Sequence, residues 1–535
     1  MTVLATMGRD ELTPGAHFVA SGSVIVWVNE NGDIRATRNR CGHQGAKFGS
    51  ASGCVLTCPH HGWQLDLSQM VYTNPTSGQV QPELKVEWSN ADLLSIIEEE
   101  TILPWSNSQP RGLLKPGEFT IRFLAHASAE FTMGDFTLIT DPWLIGPAFL
   151  RGWWLVHQPP VDWMDRLAIS DAIFISHNHS DHLNPATLEL LAERTIDVRF
   201  VVPPFGDIVR KLQNFGFTNV DIVPFGSWLP LGEDGRFMVL EDKTTRNDSG
   251  LFLEYKGYRI LNIVDCSNLN GGILPDNVDV LLSPFAGGAS GFPVCWGDLY
   301  TDEEIDKRVS INRSLMLRKV VKTAQNTHAR FVVPFAGYFT EAHPADAEIK
   351  RKNVKNTPEE VVTAVENQTT SRGWIPTSNA VFDLATEEVT TDATAVETPN
   401  YDFERWLVPI ATARAFAPLQ DQQGILRYFE WAGFRGNLIL DIFETSEDFL
   451  TIERRTTVDL RGPRIVDDEL DPDINYEKML VRTDIFRYVL QHGLPWEEIS
   501  IGFNARFTRS PNVYNMDFWS HMQDSLPSGS AWAGN

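Results

Sequence analysis

The chain has 535 residues, of which 42% are hydrophobic and 11% aromatic, and its formal net charge at pH 7 is −25. At roughly 100–200 residues per domain, this length predicts about three domains with sizeable cores. The negative charge argues against nucleic acid as a general partner, because most of such a surface repels a polyphosphate, and an anionic small substrate would need a local basic pocket.

The N-terminal residues, MTVLATMGRDELTPG, lack the basic and apolar regions of a signal peptide. No later stretch approaches the roughly 18–20 consecutive apolar residues of a membrane span. We therefore expect a cytoplasmic protein without a membrane span.

The first motif, CGHQGAKFGSASGCVLTCPHHGW at residues 41–63, concentrates Cys and His. The chain holds five Cys in all, an odd number that does not suit a disulfide framework, so clustered Cys are expected to bind metal or to be catalytic. Cys41 and His43 form one short arm, and Cys58 and His61 form a second. Two thiolates and two imidazoles are the ligand set of a Rieske [2Fe-2S] cluster. We predict that these four residues hold such a cluster.

A structural zinc site is the alternative, because two Cys and two His also satisfy tetrahedral zinc. Zinc motifs usually place like residues together, whereas each arm here combines one Cys with one His. The mixed arms favour the Rieske cluster.

The second motif lies between a predicted strand and a predicted helix. The apolar run 172–175 indicates a buried strand, and Asn184 followed by Pro185 is typical of a helix N-terminus. Four potential ligands stand between them on one tight loop: His177, His179, Asp181 and His182. This H-x-H-x-D-H pattern is the metal-binding signature of the metallo-β-lactamase fold. It predicts a metal site on an αββα sandwich.

Further ligands are expected at later strand ends. Asp265 follows the strand-like YRILNIV, and His343 follows the strand-like ARFVVPFAGYF. His126 and Asp141 precede the motif, and we expect them to orient ligands or to be structural rather than to bind metal. Hydrolases of this fold usually carry another His between the motif and the late Asp, and residues 183–264 contain none.

Two imidazoles and one carboxylate with open positions form the site of non-haem Fe(II) oxygenases. Two triads remain open: His177, His179 and Asp265, or Asp181, His182 and His343. We expect the first triad to be catalytic and to hold one iron rather than two.

A Rieske cluster and a non-haem iron on one chain indicate a monooxygenase, because activating dioxygen takes electrons one at a time. No G-x-G-x-x-G follows a strand, and FAGGASGFP at 285–293 has the wrong glycine spacing, so the sequence supports an external electron donor. Two other classes remain open. One is a metal-dependent, phosphodiesterase-like hydrolase in which the Rieske domain is a regulator, and the other is a redox sensor or electron carrier.

The predicted fold class is α+β multidomain. Residues 1–105 form a small all-β Rieske domain, and PWSNSQPRGLLKPG at 104–117 indicates a linker. Residues 118–375, in which strands alternate with helices, form the metallo-β-lactamase-like catalytic domain. Residues 400–525 form a C-terminal α+β domain.

Several blocks resemble the CMP-N-acetylneuraminate hydroxylase family. They stand in the family's order and cover most of the chain: DPWLIGPAFLRGWWLVHQPP, ISHNHSDHL, VDCSNLNGG, FAGGASGFP, PFAGYF, EWAGF and IGFNARF. The resemblance implies a monooxygenase that uses dioxygen to hydroxylate the N-acetyl group of CMP-N-acetylneuraminate or a related nucleotide-linked amide or amine. It also implies electrons from NADH through a separate reductase and a b-type cytochrome, or through a ferredoxin.

A CMP-linked anion needs cationic contacts in an acidic protein. Arg151 is the candidate for a phosphate or carboxylate contact, and Trp154 or its neighbour Trp153 is the candidate for stacking on the base. The alternative is that Arg151 forms a surface ion pair beside core tryptophans.

Overall fold

The computed structural model describes residues 2–41, 46–59, 63–74, 80–98, 105–106, 109–244, 246–391, 399–466, 474–524 and 526. The chain divides into two compact units. The first comprises residues 1–106, 243–246 and 512–520, and the second comprises the remainder. Among the described helices, none has both the length and the apolar character needed to cross a membrane.

The described residues of the first unit contain ten strands, all paired antiparallel. They are β1 (Thr2–Gly8), β2 (Gly15–Val19), β3 (Val24–Val28), β4 (Ile34–Arg38), β5 (Ala51–Ser52), β6 (Val55–Thr57), β7 (Gln64–Asp66), β8 (Val71–Asn74), β9 (Glu83–Asn90) and β10 (Leu93–Glu98). One sheet has the order β1-β10-β9-β4-β3-β2, and the other has the order β5-β6-β7-β8. The predicted small all-β domain is confirmed.

The second unit begins with two sheets. Their strands and those of a small pair between them are β11 (Phe119–Ala125), β12 (Ser128–Met133), β13 (Phe136–Thr140), β14 (Trp154–Leu155), β15 (Ala172–Phe174), β16 (Phe200–Val202), β17 (Val220–Ile222), β18 (Trp228–Leu231), β19 (Gly235–Glu241), β20 (Ser249–Tyr255), β21 (Tyr258–Asn262), β22 (Val280–Pro284), β23 (Phe331–Phe335), β24 (Phe339–Thr340), β25 (Arg372–Gly373), β26 (Val381–Asp383) and β27 (Glu388–Thr390). The sheet orders are β17-β16-β15-β13-β12-β11-β26-β27 and β18-β19-β20-β21-β22-β23-β25, and β14 pairs with β24.

Aromatic side chains join the two large sheets. Phe174 of β15 lies 6.5 Å from Phe237 of β19, measured between ring centroids, and Phe123 of β11 lies 6.1 Å from Phe335 of β23. Both pairs are buried. The sheets therefore share a core, as the sandwich prediction requires.

Where the structure describes the chain, these sheets are accompanied by six α-helices: α1 (Trp163–Ile169), α2 (Pro185–Arg194), α3 (Gly206–Asn214), α4 (Asp302–Thr327), α5 (Ala347–Lys352) and α6 (Pro358–Gln368). Helix α2 begins as predicted, because the Asn184 side chain accepts a hydrogen bond from the backbone N–H of Thr187 and Pro185 occupies the first helical position. Helices α4 and α6 pack against β22 and β23 respectively.

In the described residues, the C-terminal part of the second unit contains five strands and four helices: β28 (Leu438–Thr445), β29 (Ile452–Asp459), β30 (Arg464–Ile465), β31 (Asn475–Arg482), β32 (Ala505–Ser510), α7 (Phe403–Ala411), α8 (Gln422–Ala432), α9 (Thr483–His492) and α10 (Glu497–Ser500). All but the last residue of helix α11 (Met516–His521) belong to the first unit. The sheet order is β30-β29-β28-β31-β32, with β28 and β31 parallel. The mixed content confirms the α+β class. The domain boundaries at 105, 118, 375 and 400 stay predictions.

Candidate metal centre

The metal-binding loop follows strand β15 and leads into helix α2. It is closed by hydrogen bonds from the backbone N–H groups of His182 and Leu183 to the carbonyl of His179, at 3.0 and 2.8 Å. The Asn184 side chain, which caps α2, also donates to the carbonyl of Ser180 at 3.0 Å. The loop is thus fixed at both ends, and its ligand side chains are buried.

Three groups of potential ligands overlap in the described residues, with ligand atoms within 4.8 Å of one another in each group. They are His177 with His179 and Asp181, His126 with Asp181 and His182, and His177 with His182 and Asp265. The Nε2 of His177 lies 2.9 Å from the Nδ1 of His179. The predicted triad of His177, His179 and Asp265 is not itself one of these groups.

The second group contains polar atoms that the rest of the described structure does not satisfy. Both ring nitrogens of His126, both carboxylate oxygens of Asp181 and the Nε2 of His182 are buried and have no hydrogen-bond partner there. The Oδ2 of Asp181 lies 3.2 Å from the Nε2 of His126 and 3.3 Å from the Nε2 of His182, without hydrogen-bond geometry. Buried polar atoms are rarely left unpaired. The convergence of these unpaired atoms of His126, Asp181 and His182 fits a bound metal ion.

Carboxylates hold the outer nitrogens of two ligand histidines. The Nδ1 of His182 lies 3.1 Å from the Oδ2 of Asp141, and Asp141 also accepts the N–H and the hydroxyl of Ser176 at 2.8 and 2.9 Å. The Nε2 of His179 lies 2.7 Å from the Oε2 of Glu497. Metal-binding histidines commonly donate their second N–H to a carboxylate in this way, which fixes the ring orientation.

The protonation equilibria reflect this crowding of imidazoles and carboxylates. Burial opposes the charged form of His182, but the carboxylates of Asp181 and Asp141 outweigh it and raise its pKa well above the ordinary value. Burial likewise opposes the charge on His179, but Glu497 raises its pKa to about 9. Burial lowers the pKa of His177 well below its usual range, and the neighbouring His182 adds to the effect. A buried cluster rich in carboxylates and imidazoles suits a divalent cation.

Asp248 and Glu497 were not predicted from the sequence. Asp248 is 3% exposed and places its Oδ1 3.9 Å from the Nε2 of His177. It lies in the His-free segment 183–264, directly before strand β20. The only feature of the sequence that could have indicated a role for Asp248 is its position as a polar residue at the start of an apolar run. Glu497 begins the short helix α10 and follows no motif. His126, which we expected to support other ligands, lies among the potential ligands.

The structure does not bring His343 into the cluster. Its Nδ1 lies 2.7 Å from the Nη2 of Arg151 and accepts the backbone N–H of Ala345 at 3.2 Å. The predicted triad of Asp181, His182 and His343 is therefore not assembled, and His126 takes the third place beside the other two. Burial and the adjacent guanidinium lower the pKa of His343.

Arg151 and Trp154, the predicted substrate contacts, are both buried, at 3% and 2% exposure. The Nη1 of Arg151 lies 2.7 Å from the Oε1 of Glu447. The indole N–H of Trp154 donates to the Arg151 carbonyl at 2.8 Å, and its ring packs against Phe403 at 4.9 Å between centroids. Trp154 therefore presents no open face for stacking in this structure.

The Cys of each predicted cluster-binding arm lies in the first unit. The backbone N–H of Cys41 donates to the carbonyl of Ala46 at 2.8 Å, and that of Cys58 donates to the carbonyl of Trp63 at 2.7 Å. Both Cys lie in one buried apolar cluster that includes Trp63. Residues 43 and 61, the predicted His ligands, lie outside the described residues. Two buried Cys in one apolar cluster fit the predicted thiolate ligands.

Comparison with known proteins agrees with both motifs. Residues 4–85 match the family model of the Rieske [2Fe-2S] domain, and residues 120–336 match that of the beta-lactamase superfamily domain. These matches confirm the two fold predictions.

Curated relatives match nearly the whole chain. The cytidine monophosphate-N-acetylneuraminic acid hydroxylase of Mus musculus is 37% identical, covering 95% of this chain and 92% of its own. The proteins of the same name from Xenopus laevis and Danio rerio are 35% and 36% identical, each covering 98% of this chain and 93% and 94% of their own. The similarity therefore extends beyond the two motif-bearing domains.

Proposed function

Because the chain belongs to the cytidine monophosphate-N-acetylneuraminic acid hydroxylase family, we propose that its substrate is CMP-N-acetylneuraminate. In the proposed reaction a C–H bond of the N-acetyl methyl group becomes C–OH. One oxygen atom of dioxygen enters the product, and the other is reduced to water by two electrons and two protons. The observation that carries the proposal is the family match over 95% of the chain.

The chain is a Rieske-type non-haem iron monooxygenase. When bound, the Rieske cluster supplies electrons one at a time and the non-haem iron supplies the dioxygen chemistry. We propose that Cys41, His43, Cys58 and His61 hold the cluster.

We propose that the non-haem iron binds where the three ligand groups overlap. His177, Asp181 and His182 each belong to two groups, and His126, His179 and Asp265 complete them. We expect a single iron there, so that the chain carries three irons in total. The group formed by His126, Asp181 and His182 is the position that a second ion would take. Counting iron tests this directly.

The protein's own contribution at this centre is orientation and exclusion of water. Asp141 and Glu497 fix the rings of His182 and His179. Aromatic rings enclose the cluster: Trp143 lies 5.1 Å from His126, and Phe149 lies 5.6 Å from His179, between ring centroids. A dry, rigid enclosure limits side reactions at an oxidising centre. Asp265, with 27% of its side chain exposed, is the most open of the proposed ligands.

We propose that the electrons come from NADH through a separate reductase and a b-type cytochrome or a ferredoxin. The sequence supports an external donor, because no dinucleotide-binding glycine motif follows a strand.

The first experiment is iron and zinc analysis combined with EPR of the anaerobically purified, dithionite-reduced protein. About three irons per chain, with the signal of a His-ligated cluster, are expected. The reaction is then assayed with CMP-N-acetylneuraminate, NADH and a reductase, and the product should gain one oxygen atom by mass. Zinc in place of the non-haem iron, with hydrolysis of phosphodiesters, would overturn the proposal in favour of a hydrolase.

Two variants test the assignment of ligands. His177→Ala should lose the non-haem iron while keeping the cluster signal. His343→Ala, the matched control, should keep both, because His343 lies against Arg151. Equal loss of iron in the two variants would contradict the assignment.

A further inference from the structure

A buried arginine cluster lies beside the metal-binding loop. It consists of Arg151, Arg482, Asp346, His343 and Glu447. Arg482 is fully buried, and its guanidinium contacts Asp346, which is fully buried as well. Arg151 lies in front of the same carboxylate, with its Nη2 3.6 Å from the Oδ2 of Asp346. Two buried guanidinium groups thus share one buried carboxylate.

Glu447 supplies the second negative charge. Its Oε1 lies 2.7 Å from the Nη1 of Arg151 and 3.4 Å from the Nδ1 of His343. Without Glu447 the two arginines and Asp346 would leave one uncompensated positive charge in a buried setting, which is strongly unfavourable. Any anion that moves Glu447 aside must therefore replace its carboxylate on Arg151.

Glu447 differs from the other members of the cluster in its exposure. Its side chain is 51% exposed, whereas that of Arg151 is 4% exposed and those of Arg482 and Asp346 are fully buried. The Glu447 backbone is nevertheless held, because its carbonyl accepts the Nε–H of Arg482 at 2.9 Å. The carboxylate can rotate into solvent while the backbone stays in place.

Glu447 lies in the turn between β28 and β29, residues 446–451. Hydrogen bonds and ring contacts hold this turn in place. The Asp448 carboxylate accepts the Ser446 hydroxyl at 2.6 Å and the Leu450 N–H at 3.0 Å. The ring of Phe449 lies 4.9 Å from the Arg482 guanidinium and 4.2 Å from that of Arg506. Release of the Glu447 side chain therefore does not require the turn to unfold.

The arginine cluster is tied to the metal-binding loop through the chain that carries Arg151. Two residues earlier, the N–H of Phe149 donates to the Ser180 hydroxyl at 2.7 Å, and the Phe149 ring contacts His179. Phe149 and Leu150 adopt left-handed backbone conformations, with φ of 48° and 61°, which makes this connection a tight turn. A group bound at Arg151 is thus held close to the ligand loop.

We propose that an anionic group of the substrate binds to Arg151, backed by Arg482, and that the Glu447 carboxylate occupies this place in the substrate-free protein. The inference rests on the proposed function, which supplies a substrate with both a phosphodiester and a carboxylate. Either group has the oxygen geometry that a guanidinium binds in a bidentate manner. Glu447 then lowers the apparent affinity by the fraction of time it covers the site.

The test is calorimetric binding of CMP-N-acetylneuraminate to the oxidised holoprotein without an electron donor, so that no turnover occurs. Glu447→Gln should bind at least about fivefold more tightly than the unaltered protein, because the covering charge is gone. Glu453→Gln is the matched control. Glu453, on β29, pairs with Arg414, which lies between α7 and α8, so this change removes one negative charge of the acidic protein without touching Arg151.

Two further measurements identify the anionic group of the substrate and the protein side chain that binds it. CMP carries the phosphate alone and N-acetylneuraminate the carboxylate alone, so the probe whose binding tightens in Glu447→Gln names the group that binds. The gain should vanish when Arg151→Met is combined with Glu447→Gln. An unchanged affinity in Glu447→Gln, an equal gain in Glu453→Gln, or a gain that survives Arg151→Met would each overturn the inference.

Binding and turnover separate the inference from the proposed function. Tighter binding in Glu447→Gln without hydroxylation would support the anion site and refute the activity. Hydroxylation with equal binding in all variants would support the activity and refute the anion site. Absence of binding in every variant would refute the anion site as well.

Discussion

Replacing Glu497 should weaken iron binding in a graded manner. The Nε2 of His179 lies 2.7 Å from the Glu497 carboxylate, and the two side chains are only 10% and 15% exposed. A hydrogen bond to a charged group contributes about 1.5–3 kcal/mol, and 1.4 kcal/mol corresponds to about tenfold in affinity. Loss of a carboxylate that orients a metal-binding His costs about 10–100-fold in metal affinity or activity. We expect iron affinity to fall about tenfold in Glu497→Gln, which keeps an acceptor oxygen, and about 100-fold in Glu497→Ala.

The assay is chelator competition, with non-haem iron counted separately from the cluster. The Rieske EPR signal is an internal reference that should not change, because Cys41 and Cys58 belong to the first unit and Glu497 belongs to the second. Glu498→Gln is the matched control, since its carboxylate accepts the Ser180 hydroxyl at 3.2 Å rather than a ligand ring. Unchanged iron affinity in both Glu497 variants, or equal loss in Glu498→Gln, would refute the reasoning.

Three more predictions concern cofactor loading, packing and pH. Cys58→Ser should abolish the Rieske EPR signal and leave the non-haem iron in place; a retained signal would contradict the cluster assignment. Gly152→Ala should destabilise the fold by a few kcal/mol in thermal unfolding, because the added Cβ would lie 2.1 Å from the carbonyl oxygen of Gly502. Gly206→Ala, where no atom lies within 4 Å of the added Cβ, is its control and should unfold at the original temperature or above. Burial raises the pKa of Glu498 from 4.5 to about 7. Between these two values the folded state holds a proton that the unfolded state releases. The free energy of unfolding should therefore be highest below pH 4.5 and fall by about 3 kcal/mol as the pH rises through 7. Glu498→Gln should remove that slope from denaturant unfolding measured across this range, and an identical slope would contradict the assignment.

The local patterns predicted a large part of the fold. The strand at 172–174 and the helix that begins at Pro185 depend on an apolar run and a capping Asn, which are short-range features. The loop between them carries its ligands within six residues, so their proximity follows from the chain itself. The same holds for the two Cys arms, whose spacing already matched a known ligand set.

Ligands from distant segments were predicted less well. His343 follows a strand, as a late ligand should, but the structure places it against Arg151. His126 precedes the motif by about fifty residues and nevertheless lies 3.2 Å from Asp181. A sequence shows that a His stands at the end of a strand, but which strand ends meet depends on the order of strands in the sheets.

The contact between Glu497 and His179 was still harder to predict from the sequence. It lies more than 300 residues from His179, on a four-residue helix with no motif, and only the packing of the C-terminal part of the second unit brings its carboxylate to the ring. The pairing of Glu447 with Arg151 has the same origin.

By itself, the sequence predicted a Rieske cluster and a non-haem metal site, because most of the candidate ligands stand close together in the chain and their chemistry follows from residue type and spacing. Only the tertiary structure decided which distant side chains lie beside the candidate metal centre, and that Arg151 pairs with the half-exposed carboxylate of Glu447. Those contacts join strands and helices hundreds of residues apart, and they exist only after the sheets have paired and packed.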